Sequence, residues 1–506
     1  MTVRTHSRIA SAILCLAAFA SVATAQPQGN LTSKVLGTTV GPTGQIEVSG
    51  DPGDVYVIFV SLNQGPSVIG GKTLDVGLEL LPLTGSLPGF IGTLNGSGQA
   101  VVPYFLPGSL PVGATLYSQA ATLITANKLD DISEQSVLVL SAADSFTATK
   151  GNLGTARAQA TATLLDDCRV LLTGGGSGNL TSPSALISAE SYDFFSQTFG
   201  SLGNMTRQRA FHTATKLNDG RVLLVGGNNS SGVVTATSEI FDPTNDSFTN
   251  AAAMSRARAG HTASKLNNGN VVIAGGTNSF ATIDAIVTGS TNTTEIYNGT
   301  SFSSGPNMSE PRFGHNAVTL NDGRTLVSGG LSFITIIIPI PLISSDAEVL
   351  NVAGSSFSGA GNMGTERVLH AATVLANGNV LVTGGGSGSV LSPTPVASCE
   401  IYQVSGNSWS STGSMAGARA FHQTFRLASG EVFVAGGADG SITAPTVQTT
   451  VELYNPSSGT WSPSASSMIT ARGAYSAVVL PDGSILYAGG GDASGLPTAT
   501  AERYTD

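Results

Sequence analysis

The chain has 506 residues, of which 63 are Gly, with only 22 Lys or Arg against 32 Asp or Glu. A net charge of −10 and the lack of any basic stripe argue against recognition of nucleic acid through phosphate contacts, which needs a cationic face. Few charges and many Gly, Ser, Thr and Asn residues suit a β-rich protein with tight turns.

Residues 1–25 read as an export signal. Arg4, His6 and Arg8 precede an apolar run from Ile9 to Val22, and Ala23-Thr24-Ala25 is a small-residue cleavage site. The expectation is a secreted, periplasmic or extracellular protein. No later apolar run is long enough to predict a membrane span. Cys168 and Cys399 would remain after cleavage. They fall at different points of the repeat described below, so both are expected as buried free thiols.

Residues 26–140 hold short strand-like runs, at 45–48, 55–62, 74–81, 98–105 and 115–123, separated by Gly/Pro turns. That pattern predicts a small β-sandwich-like domain of spacer or adhesion type.

From Gly154 onward a repeat governs the chain. Arg157, Arg209, Arg258, Arg312, Arg367, Arg419 and Arg472 are each followed three residues later by Ala160, His212, His261, His315, His370, His422 or Tyr475. From that slot to the second glycine of a Gly-Gly pair is 15 residues in all seven copies, as from His422 to Gly437. Glu190, Glu239, Glu295, Glu348, Glu400, Glu452 and Glu502 follow, with an aromatic two residues later in every copy but the fourth, where Leu350 stands. Between the histidine slot and Gly-Gly lie turns such as Asn218-Asp219-Gly220, which supply the positive φ of a hairpin.

A period of 52 residues, as between Arg157 and Arg209, with four strand patterns per unit predicts an all-β, seven-bladed β-propeller over 144–506. The last copy stops after its third strand pattern. The segment Asp144-Ser145-Phe146-Thr147 matches Asp246-Ser247-Phe248-Thr249, so residues 145–149 are expected to supply the missing outer strand of the seventh blade.

The order Arg-x-x-His, Gly-Gly, Glu-x-Tyr and a later Trp, as at Trp409 and Trp461, resembles the kelch repeat of the galactose oxidase-like propellers. The resemblance implies the fold. It would also imply a copper held by two tyrosines and two histidines, one tyrosine being crosslinked to a cysteine and one being followed directly by a histidine. No Tyr-His pair occurs in this chain, since His212 and His422 follow Phe, and neither cysteine has an evident tyrosine partner. No cofactor or metal is therefore expected, and catalysis is not the favoured reading.

Seven equivalent arginines and glutamates cannot define one active site. They are read as structural, each Arg bonding the Glu or backbone carbonyls of a blade beside it. The histidines, one per blade in five blades, are read as packed and hydrogen-bonded. Function is sought instead where the copies differ. The Gly-Gly to Glu interval varies from 12 to 19 residues, so length variation concentrates in the loops between the second and third strands of each blade. Two of these loops stand out. One carries Asn278, Phe280 and Asp284; the other, LSFITIIIPIPLISS, carries Phe333, Ile336 and Ile338. The second is either a partner contact or packs against the next blade or the N-terminal domain, and self-packing is the favoured reading; Pro339 and Pro341 argue against one long strand across it. The favoured function is binding of a protein or glycan. A carbohydrate-active enzyme and a structural envelope or matrix component are the alternatives.

Overall fold

A computed structural model describes residues 144–506, apart from 179–183, 195, 336–338 and 442–443, together with the backbone of strands between 32 and 139. Those earlier strands include a three-stranded antiparallel sheet (Thr32–Leu36, Thr43–Ser49, Gln99–Phe105). A second sheet is built on Val55–Ser61 and Thr115–Thr125. The packing expected of a sandwich involves side chains outside the described residues.

Seven four-stranded antiparallel sheets follow, each meandering from strand a to strand d. Blade 1 spans 161–204, blade 2 213–250, blade 3 262–304, blade 4 316–362, blade 5 371–412, and blade 6 423–463. Blade 7 runs from 476 to 505 and takes its outer strand, Ser145–Ala148, from before blade 1. There Phe146 pairs with Tyr504. The carboxylate of Asp144 accepts hydrogen bonds from the Ser464 hydroxyl (2.6 Å), the Ala465 N–H (3.1 Å) and the Tyr504 hydroxyl (3.1 Å), which fixes the closing strand to blades 6 and 7.

Strand b explains why these sheets stack into a ring. In Val222–Val225 every residue is buried, and the side chains alternate between two neighbours. Val222 and Leu224 pack on Leu171 of blade 1, while Leu223 and Val225 pack on Val271 and Ile273 of blade 3. A strand buried on both faces reads as an unbroken apolar run. The ring closes the same way, with Leu486 and Ala488 of blade 7 against Val170 and Leu172 of blade 1. Each buried aliphatic side chain contributes about 1.5–3 kcal/mol.

The outer strands are held by cross-strand aromatics. Tyr192–Phe199, Phe241–Phe248, Tyr297–Phe302, Tyr402–Trp409, Tyr454–Trp461 and Phe146–Tyr504 all have ring centroids 4.9–5.2 Å apart. Blade 4, with Leu350 opposite Phe357, lacks the aromatic pair.

One repeated slot escaped the sequence reading. Met205, Met254, Met308, Met363, Met415 and Met468 each stand four residues before the repeat arginine, with Leu153 in the first copy, and all are at most 4% exposed. The signal was present: six of the chain's seven methionines occupy this one position. A flexible thioether suits an irregular gap beside a glycine that cannot carry a side chain. A Cβ on Gly174 would lie 3.1 Å from the Met205 methyl and 2.2 Å from the Arg209 carbonyl.

Candidate functional site

The repeat arginines are completely buried and are spent inside the ring. In blade 6, Arg419 Nη2 meets Glu452 Oε1 at 2.7 Å, and its Nη1 donates to the carbonyls of Gly436 (2.7 Å) and Thr450 (3.1 Å). The second Glu452 oxygen accepts the Ala416 N–H at 2.6 Å. Arg157–Glu190, Arg209–Glu239, Arg258–Glu295, Arg367–Glu400 and Arg472–Glu502 repeat the pair at 2.6–2.9 Å. Each pair lies within one blade, which corrects the expectation of a bond to a blade beside it. Arg and Glu pin the connection that arrives from the preceding blade onto the blade it enters.

Blade 4 departs from this pattern. Arg312 turns to Asp346 and to Glu310 (3.2 Å), and stands 3.8 Å from Glu348. Glu348 keeps the Ser309 N–H (2.6 Å), but its other oxygen has no hydrogen-bond partner. Burial raises the pKa of this carboxyl.

The ties between blades come from the glycine pair and the histidine. The N–H of each second glycine donates to the arginine carbonyl of the next blade, from Gly175 to Arg209 (2.8 Å) round to Gly490 and Arg157 (2.8 Å). The imidazole Nε2 of His212 lies 2.9 Å from the Thr173 hydroxyl of blade 1, that of His261 3.0 Å from Thr213, that of His315 2.9 Å from Thr262, that of His370 3.0 Å from Ser328, and that of His422 2.8 Å from Thr383. Tyr475 serves blade 7 by donating to the Ala435 carbonyl at 2.6 Å. Burial, with Arg209 and Arg157 nearby, lowers the His212 pKa to about 3, so the imidazole is neutral; His315 and His370 are held down to about 3 in the same way. Among the described residues no group of three or more His, Cys, Asp or Glu side chains is placed to hold a metal. Histidines distributed one per blade, each with Nε2 on a hydroxyl, do not assemble the donor set that the resemblance would imply.

Between the arginine and the histidine slot sits a residue at positive φ in every blade: Gln159, Phe211, Gly260, Gly314, Leu369, Phe421 and Ala474. Six backbone hydrogen bonds link them in succession from Gln159 round to Phe211. The N–H of Gln159 donates to Ala474, Ala474 to Phe421, Phe421 to Leu369, Leu369 to Gly314, Gly314 to Gly260, and Gly260 to Phe211, at 2.8–3.3 Å. Five of the seven are not glycine, so this annulus carries backbone strain.

The loops between strands b and c emerge beside these arriving connections, as isolated bridges such as Ala210 with Asn228 and Ala420 with Ala438 show. They therefore share one face. Hairpins occupy this position in blade 4 (Leu331–Thr335 with Pro339–Ile343), blade 5 (Gly386–Ser389 with Ser392–Pro395) and blade 6 (Ala438–Ser441 with Ala444–Val447). Blade 3 carries a short helix, α1 (Ile283–Thr288), capped by the Thr282 hydroxyl accepting from the Ala285 N–H.

The structure disperses the residues singled out in these loops. Phe280 stacks on Phe211 (4.9 Å) and meets Phe313 edge-on (5.7 Å), so it packs toward the annulus. Phe333 packs partly on the buried cluster of Val287, Phe313, Leu331, Ile343 and Val368. Asn278 is exposed, its backbone N–H on the Gly289 carbonyl (3.1 Å). Ile336 and Ile338 lie outside the described residues. Asp284 is exposed and borders a cleft of about 700 Å3 between the blade 4 and blade 5 hairpins, which Glu366 and Leu391 also line. Glu366 was missed because it adjoins the repeat Arg367 and reads as part of that motif.

Cys399 is a buried free thiol whose pKa burial raises to about 11, so it is unreactive. Cys168 is disulfide-bonded, which corrects its reading as a free thiol. Among the described residues no helix is long and apolar enough to cross a membrane.

No protein-family model matches the chain, and no curated protein does. Among solved structures, one similar chain is a fungal alcohol oxidase of the AA5 family in complex with copper, with a TM-score of 0.54 and 16% identity over 71% of this chain and 75% of that one. Another is YjhT, with a TM-score of 0.46 and 13% identity over 62% of this chain and 98% of that one. Blade topology and the first of these likenesses together give the chain the fold of a galactose oxidase-like, kelch-type seven-bladed β-propeller.

Proposed function

We propose that the chain is a non-catalytic binding protein, exported on the strength of its leader-like first 25 residues, and that its partner docks on the face formed by the b–c loops and the arriving connections. The carrying observation is the distribution of exposed apolar side chains. Among the described residues eight large hydrophobics are exposed, and five of them, Val233, Ile334, Ile340, Leu391 and Leu496, stand on b–c loops. A sixth, Ile469, is on an arriving connection. Three of them, Ile334, Ile340 and Leu391, stand on the neighbouring hairpins of blades 4 and 5, and apolar side chains grouped on a rigid scaffold support an interaction surface there. The polar residues that first suggested chemistry, by contrast, bond one another inside the ring.

Peptide and glycan arrays probed with the whole protein and with the Ile334→Ser/Ile340→Ser/Leu391→Ser variant test this reading. It expects a ligand class retained by the wild type and lost by the variant, with the melting temperature unchanged. A ligand held equally by both proteins would overturn it.

A further inference from the structure

The cleft between blades 4 and 5 has a composition that narrows the partner. Its walls are the return strand of the blade 4 hairpin, through Pro341, Leu342 and Ile343, and the tip of the blade 5 hairpin, through Val390 and Leu391. Two carboxylates enter this apolar setting. Asp284 comes from the first turn of α1, and Glu366 from the connection entering blade 5. Glu366 is held in place through one oxygen, Oε1, which accepts from the Ser387 hydroxyl (2.8 Å) and the Gly388 N–H (3.1 Å). Against the upward pull of partial burial, its own backbone N–H, the Ser387 hydroxyl and the Gly388 N–H, with a smaller part from Arg367, hold this carboxyl below its ordinary pKa.

The surroundings reinforce the sign. In blades 4, 5 and 6 the b–c loops and arriving connections carry Glu310, Glu366 and Asp439, and Asp346 follows at the base of the blade 4 loop. Their only Lys or Arg residues are the repeat arginines Arg312, Arg367 and Arg419, all fully buried, whereas the connection entering blade 3, whose b–c loop supplies Asp284, carries the exposed Arg256 beside its buried repeat Arg258. The hairpins also stay unjoined. Pro339 and Pro341 remove ladder donors from the blade 4 return strand, and no pairing links that strand to Gly386–Ser389 beside it. A partner therefore finds an open slot with apolar walls, one exposed and one partly buried carboxylate, and no Lys or Arg in its lining.

We infer that this cleft takes a Lys or Arg side chain of a protein partner, carried on a segment with flanking aliphatic residues. The cation meets Asp284 and Glu366, and its aliphatic stem and neighbours cover Leu391 and the exposed cross-strand pair Ile334–Ile340. This rests on the binding reading above and specifies the partner's chemistry.

The test uses a library of random twelve-residue peptides displayed on phage and selected on the full protein. Recovered peptides are measured by calorimetry against the wild type, Glu366→Gln, Asp284→Asn, and a control variant, Val233→Ser/Leu496→Ser, on the far blades. The expected result is enrichment of Lys or Arg beside aliphatic residues. Affinity should fall about tenfold in Glu366→Gln, less in Asp284→Asn, and not at all in the control, with melting temperatures unchanged. Peptides without enriched cations, or peptides indifferent to both carboxylate variants, would overturn the cleft assignment. If such peptides are instead lost in the control variant, the binding face stands and only the cleft falls. Recovery of no peptide at all, with a glycan bound on the arrays, overturns a cationic protein segment as the occupant.

Discussion

The inner ring and the b–c crown are built from one repeat, yet they use polar residues in opposite ways. In the ring, Arg, Glu and His are buried, repeated and bonded to one another or to backbone. In the crown, Asp284 and Glu366 occur once each and border a cleft. Sevenfold repetition marks the first set as joinery, because a single ligand cannot engage equivalent groups in every blade. Singularity sets the second apart, and it is there that the proposed binding is sought.

The largest effect should come from breaking the joinery. With Arg419 and Glu452 both buried, Arg419→Ala and Glu452→Ala should each lower the unfolding free energy by about 3–5 kcal/mol in denaturant titrations, because each leaves an unpaired buried charge. Met415→Ala should follow at about 2–5 kcal/mol, as a large-to-small change in a packed slot. Small losses from both pair variants would place the arginine–glutamate pair outside the load-carrying structure.

Acid sharpens the contrast further. A histidine whose folded pKa is about 3 stays neutral in the native state while the unfolded chain gains a proton near pH 6.5. Its contribution is therefore complete above about pH 6.5 and is lost as pH falls toward 3, by about 1.4 kcal/mol per histidine per pH unit. His370→Tyr, which copies the natural choice at Tyr475, should make the stability–pH curve shallower by about one proton between pH 6 and 4. An unchanged slope would show that His370 is not held neutral. Glu348 has the opposite sign. Its raised pKa withdraws stability as pH rises from the unfolded carboxyl value through the folded one, so Glu348→Gln should compare more favourably with wild type at pH 7 than at pH 4.

The smallest expected effect lies at the annulus. Ala474 holds φ near 52° where two other blades place glycine, so Ala474→Gly should stabilise the protein by at most about 1 kcal/mol. A clear loss would show that the Ala474 methyl packs more than it strains.

Much of the fold was legible because repetition supplies its own controls. The fixed interval from His422 to Gly437 recurs in every copy, and the match between 144–147 and 246–249 pointed to the strand that pairs with Ala501–Thr505. The direction of the arginine bonds was not legible. Sequence places Arg419 between two blades, and only the path of the connection shows that it belongs to the one it enters. The methionine slot was legible but overlooked, since a methionine signals no chemistry. The cleft was the least legible. Glu366 lies in a repeated segment, and only the folding back of 331–343 brings the blade 4 hairpin beside Leu391. Apolar runs such as LSFITIIIPIP do not announce which residues turn inward. Leu331 and Ile343 are buried, while Ile334 and Ile340 face out.

The central claim is that the repeat builds and the crown binds. Hydrogen exchange of the protein with and without a ligand recovered from the arrays tests it most directly. The account predicts added protection at 339–345 and 384–398, in the b–c segments of blades 4 and 5, with no change at the turns between strands c and d. Protection confined to those outer turns, or spread evenly over all seven blades, would contradict it.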